Sequence, residues 1–173
     1  MRISQTMRRG VVWITGLLCL LAFQAGKTMA NDVISVKRLM PDLAMEMVKS
    51  AVEACRRAGY QVTAVVVDRD GDAIALMRDV HASRFTIQIA RDKANAVILS
   101  GVASGVFREN RSDIRQEMNQ VDGILVLQGG LPIRAAGNLL GAIGVSGAPG
   151  GERDEACAQA AVEAVQERLE FSE

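Results

Sequence analysis

From residue 41 onward the apolar positions recur with a period that switches between that of a helix and that of a strand. Leu43, Met47, Ala51, Ala54 and Ala58 follow one another at helical spacing. Pro41 and Asp42 suit the first turn of that helix, and Gly59 suits the residue just past its end. Val62 to Val67 is a β-branched run and predicts a strand. Asp68-Arg69-Asp70-Gly71 has the chemistry of a tight turn, and Ala73 to Met77 predicts the second strand of a hairpin. Ser83 can cap a second helix, whose stripe is Phe85, Ile89, Ala90, Ala94, Val97, Ile98 and Gly101. Arg108 to Gln120 carries both signs of charge and predicts either a long loop or a short exposed helix. Gly123 to Gln128, Leu131 to Ala135 and Leu139 to Val145 predict three more strands with glycine turns between them. Glu152, Asp154 and Glu155 then open a last helix with the stripe Ala158, Val162, Val165 and Leu169. The predicted order is α-β-β-α-β-β-β-α. It describes an α+β single domain, a central antiparallel five-stranded sheet flanked by helices.

The first thirty residues follow a different pattern. Arg2, Arg8 and Arg9 precede any acidic residue, and an apolar run of about 15 residues follows from Val11 to Ala25. Thr28-Met29-Ala30 places small residues before Asn31. Basic start, short apolar centre and small exit predict a signal peptide over 1–30, a mature domain over 31–173, and a periplasmic or secreted protein without a stable membrane anchor after cleavage. The alternative is an uncleaved anchor. Arg8-Arg9 leaves both the general and the twin-arginine export routes open.

Cleavage changes the charge. The whole chain has 20 basic and 20 acidic residues, and the leader holds four of the basic ones and no acidic one, which leaves the mature domain at net −4. No basic footprint for nucleic acid remains, and six aromatic residues in the whole chain make no base-stacking platform. Cys19 leaves with the leader. Cys55 and Cys157 lie on the apolar faces of the first and last helices, where either a disulfide or two buried thiols fits. One histidine and two cysteines build no recognisable zinc site.

The remaining chemistry is sparse. Gly137, Gly141, Gly144 and Gly147 lie in and around a strand rather than between a strand and a phosphate-binding helix, so bends and close packing account for them better than a nucleotide does. Ser146 to Gly151 does lead into a helix start and could hold an anion, although Glu152 and Asp154 oppose that. His81, the single histidine, falls in the loop before the second helix. Lys93 sits at the edge of that helix's apolar stripe, where it either reaches a ligand carboxylate or lies over apolar surface.

Three stretches carry a resemblance: Val67-Asp68-Arg69-Asp70-Gly71, Ile89-Ala90-Arg91-Asp92-Lys93-Ala94, and Gly129-Gly130-Leu131-Pro132-Ile133 running to Gly141-Ala142-Ile143-Gly144-Val145-Ser146-Gly147. With Asp154-Glu155 they resemble the GlcG/HbpS-like family, which includes the C-terminal domain of PduO proteins. The resemblance spans about residues 37 to 170. It implies a central antiparallel sheet, homo-oligomers up to octamers, and binding of haem or another tetrapyrrole, with haem degradation in some members. The function it implies is an exported oligomeric haem- or small-ligand-binding protein; the alternative is an enzyme acting on haem or on a small metabolite such as a hydroxy acid. Under that reading His81 is the candidate ligand of haem iron. Arg84 and Lys93 are the candidate partners of the propionates. Asp79-Val80-His81 stands where members often carry a Met-Asp-Gly-like segment, so His81 is a departure from the family pattern.

Overall fold

The computed structural model describes residues 34–171, and the leader expected over 1–30 lies outside them. Helix α1 (Pro41–Arg57) begins at the proline, with Asp42 in its first turn and Arg56 and Arg57 in its last, all matched to the helix dipole. It hands over through Gly59, in the left-handed region at φ 86°, to strand β1 (Thr63–Asp68). The turn to β2 (Ala73–Arg78) is held by Asp68, whose Oδ1 accepts the N–H groups of Asp70 and Asp72 at 2.9 and 3.0 Å.

Helix α2 runs over Thr86–Ser100, two residues later than a Ser83 cap would place it. Ser83 instead accepts the Phe85 N–H through its Oγ and the Thr86 N–H through its carbonyl, making a turn ahead of the helix. The charged stretch beyond it forms two short helices, α3 (Ser104–Asn110) and α4 (Arg115–Met118). Strands β3 (Gly130–Ala135) and β4 (Asn138–Ser146) follow, joined by Ala136 and Gly137 at φ 46° and 78°, the two positive values of a tight hairpin turn. Helix α5 (Gly151–Glu170) closes the chain.

The sheet has four strands in the order β2-β1-β4-β3, all antiparallel, rather than the five expected. Gly123 to Gln128 is the segment that departs. Its backbone donors go elsewhere: Leu125 N–H to the Asp92 carbonyl of α2 at 3.2 Å, and Val126 N–H to Asn119 Oδ1 at 2.8 Å. Val126 packs with Ala96 and Phe107 instead of onto the sheet. β3 is therefore an edge strand, a position that tolerates Pro132, which has no N–H to give a neighbour.

Alternation along β1 and β4 separates two cores. Ala64 and Val66, opposite Val145 and Ile143, face α1 and α5 together with the fully buried Met47, Val48 and Val52. Each such side chain contributes about 1.5–3 kcal/mol on burial. Val65 and Val67, opposite Gly144 and Ala142, face α2. The small residues on that face set how near the helix lies. A Cβ at Gly144 would collide with the Ala90 carbonyl oxygen, and one at Gly141 with that of Val67. The glycines thus permit close backbone approach, the packing role expected of them.

Between α1 and α5, Cys55 and Cys157 are joined as a disulfide with their Cα atoms 5.4 Å apart. Of the two readings left open by the sequence, the bridge is the one present.

Candidate functional site

The loop from Asp79 to Phe85 is fixed at several points. The Asp79 N–H donates to the Val62 carbonyl at 2.9 Å, and the Ala82 N–H returns to the Asp79 carbonyl at 3.0 Å. Arg78 donates to the Ala82 carbonyl at 2.5 Å. The Asp79 carboxylate, only 4% exposed, accepts both prongs of the Arg56 guanidinium at 3.0 and 2.9 Å and the Val80 N–H at 2.8 Å. Thr86 Oγ1 donates to the Ser83 carbonyl and accepts from Thr63 Oγ1, each at 2.6 Å, which ties the loop's end to β1.

What this frame displays is apolar. Val80 is 80% exposed and Phe85 61% exposed, and His81 and Arg84 are exposed beside them. The Arg84 guanidinium lies 4.4 Å above the Phe85 ring centroid. Val80 and Phe85 are thus two large apolar side chains exposed to water on the loop that carries the imidazole. His81 and Arg84 both lie on this held loop, three residues apart in sequence.

The clamp depends on charge. Hydrogen bonding to Arg56 lowers the Asp79 carboxyl below its usual value of 3.8, with the Val80 N–H helping and burial opposing. A depressed acid contributes stability that is present above the unfolded value and lost as pH falls through the lower folded one. Asp79→Asn is therefore expected to lower Tm near neutral pH and to flatten the decline of Tm below about pH 4. A Tm–pH curve parallel to that of the wild type would remove this role.

Lys93 is elsewhere. It does not lie at an exposed helix edge but is 1% exposed, because α2 sits so close to the sheet that the side chain enters the interior. Its Nζ donates to Asp154 Oδ2 at 2.6 Å and to the Val145 carbonyl at 3.0 Å. Asp154, 3% exposed, also accepts the Ala148 N–H at 2.9 Å, so the loop after β4 and the start of α5 are tied to α2. Burial holds the Asp154 carboxyl above its usual value, against the pull of the Lys93 ammonium. Gly129 leaves room for this pair, since a Cβ there would lie 2.8 Å from Nζ. Next to it Gln128 Nε2 donates to Glu155 Oε1 at 3.1 Å, while Glu155 Oε2 is buried with no hydrogen-bond partner. This interior cluster was not assembled by sequence reasoning. Its signal was the Asp154-Glu155 pair at the head of a helix, read there as a match to the dipole and as part of the family resemblance, not as a partner for Lys93.

Surface grooves lie elsewhere on the described residues. One of about 540 Å³ lies between the β1–β2 turn and α2, lined by Asp70, Asp92, Asn95 and Asp122 among others. One of about 490 Å³ lies beside α3 and α4, lined by Leu99, Val102, Phe107 and Met118 among others. His81, Arg84 and Lys93 line neither. Among the described residues no group of three or more His, Cys, Asp or Glu side chains is placed to hold a metal ion.

The family profile described as haem degrading protein HbpS-like matches residues 39–163. A crystal structure of a glutamate-to-aspartate double mutant of Streptomyces reticuli HbpS is 27% identical, with a TM-score of 0.73, over 78% of this chain and 92% of that one. A structure of Klebsiella pneumoniae ORFY is 24% identical, with a TM-score of 0.74, over 80% and 98%. A PduOC:haem complex is 22% identical, with a TM-score of 0.65, over 74% and 95%. At these last two identities the likeness is one of fold. No curated protein matches the chain significantly.

Proposed function

Since the chain belongs to the family of haem-degrading HbpS-like proteins, we propose that it is an exported haem-binding protein, cleaved before Asn31, periplasmic or secreted, and homo-oligomeric. The family match over most of the folded domain carries this reading, and the displayed loop supplies a place for the ligand. The residues there fit haem. His81 offers an imidazole for iron, Val80 and Phe85 offer apolar surface, and Arg84 offers a guanidinium for a propionate. Bound haem would supply a redox-active iron; the chain's part is to bind and orient it on a loop that Asp79 and Arg56 hold in place. Lys93 is not given a propionate here, because its ammonium already has two internal partners.

The test is titration of the folded protein with haem, read at the Soret band. A saturable Soret band is expected; its absence removes the proposal. His81→Ala is expected to shift the maximum and weaken affinity more than tenfold, about 1.4 kcal/mol. Arg84→Ala is expected to weaken binding less and to leave the band in place. The family's description favours a second reading, an enzyme that degrades haem. Time-dependent loss of the band with release of iron would select it.

A further inference from the structure

We propose that the groove between the β1–β2 turn and α2 binds an aliphatic di- or polyamine, its ammonium ends on the groove's carboxylates and its methylenes on the apolar wall. This site is separate from the His81 loop, since neither His81 nor Arg84 lines it.

Four carboxylates, those of Asp70, Asp72, Asp92 and Asp122, line the groove against the single guanidinium of Arg91. Two of the four are matched in place. Asp70 Oδ2 accepts from Arg38 at 2.7 Å, and Asp72 lies 4.0 Å from Arg91. Asp92 has only a neutral side-chain donor, Gln88 Nε2 at 2.6 Å. The exposed Asp122 carboxylate meets no cation among the described residues. Two negative charges therefore stand uncompensated, one on α2 and one on the segment after α4. They repel an anion and draw a cation.

The floor of the groove adds an acceptor. Asn95 lies between Gly71 and Gly123, and all three line the groove. Its Nδ2 donates to the Gly123 carbonyl at 3.1 Å, which fixes the amide, because a flip would set one oxygen against another. Oδ1 then points to the Gly71 side, where it is buried and has no hydrogen-bond partner. A buried acceptor without a donor is costly. An ammonium seated beside Gly71, which carries no Cβ, supplies the missing donor.

The spacing of the charges selects the kind of cation. Among the described residues no three carboxylates are placed to share one metal ion, so the negative charge is spread along the groove. A flexible chain with ammonium groups set apart matches that spread. Ile98, Leu99 and Ile124 line the same groove, with Leu99 54% exposed, and give the methylenes between the charges an apolar surface. The volume of about 540 Å³ falls within the range of roughly 300–1,000 Å³ typical of small-molecule sites.

The experiment is calorimetric titration of the folded protein with spermidine, paired with nitrogen–proton correlation spectra. Saturation at one spermidine per chain is expected, with shifts of the Asn95 side-chain amide and of the Gly71 and Gly123 N–H signals. Asp92→Asn and Asp122→Asn are each expected to weaken binding roughly fivefold, and the two together by more than about tenfold. Glu167→Gln removes the same charge from α5, on the opposite face of the sheet, and is expected to change affinity less than about twofold. Circular dichroism confirms that each variant is folded. No saturable binding, equal losses in Glu167→Gln and Asp92→Asn, or Asn95 signals that stay in place while spermidine binds would each overturn the site. Displacement of spermidine by magnesium at equal ionic strength, or tighter binding of a lysine-rich peptide, would overturn the assignment to a small amine. None of these readouts involves haem, so they stand or fall apart from the haem-binding reading.

Discussion

Replacing Cys55 and Cys157 together by serine is expected to lower the free energy of unfolding by about 4 kcal/mol. The bridge spans 102 residues of sequence and joins α1 to α5, so the enclosed chain holds every strand of the sheet. Closing so long a loop removes much of the freedom of the unfolded chain, and the folded state keeps its buried helix pair whether or not the bond exists. For a domain of this size the loss corresponds to a fall in Tm on the order of 12 °C. Denaturant unfolding of the double variant beside the oxidised wild type measures it. Equal midpoints for the two, with and without reductant, would show that the bridge contributes nothing.

Lys93→Met is expected to be similarly costly, about 3–5 kcal/mol, for a different reason. The substitution leaves the Asp154 carboxylate at 3% exposure with its cation gone and only the Ala148 N–H remaining. Asp154→Leu should cost a comparable amount, since it strands the ammonium. Combining Lys93→Met with Asp154→Leu replaces a buried ion pair by apolar side chains and should recover much of the loss. Unfolding measured across all four proteins gives the coupling between the two residues. Additive losses would show that the pair does not act as a unit.

These two residues also show where reading a sequence stops. Helix α1 was legible because Pro41, Asp42 and a stripe of apolar residues agree locally, and the first hairpin because Asp68 to Gly71 dictates a turn. The HbpS-like match was legible in the glycine-rich pair of segments. Gly123 to Gln128 misled because its apolar run has strand character, while the partners that decide its state, Asp92 and Asn119, lie outside it. Lys93 misled because its exposure is set by Gly129 and by Asp154, a separation of 61 residues in the latter case. At the candidate site, the position of His81 in a loop was local information. That Arg56, 23 residues before Asp79, would fix that loop was not.

The disulfide also changes what a cut in the backbone would do. The arginine-rich stretch from Arg108 to Arg115 lies inside the span that Cys55 and Cys157 enclose, on the short helices outside the sheet. Considered as a covalent graph, the domain is a ring with two short tails, and this stretch is part of the ring. A protease that opens the ring there produces two fragments but still one molecule. Both pieces stay bonded through the helix pair, with the four strands in place around the opening. Damage at this surface becomes loss of the protein only where the surroundings are reducing enough to break the second connection.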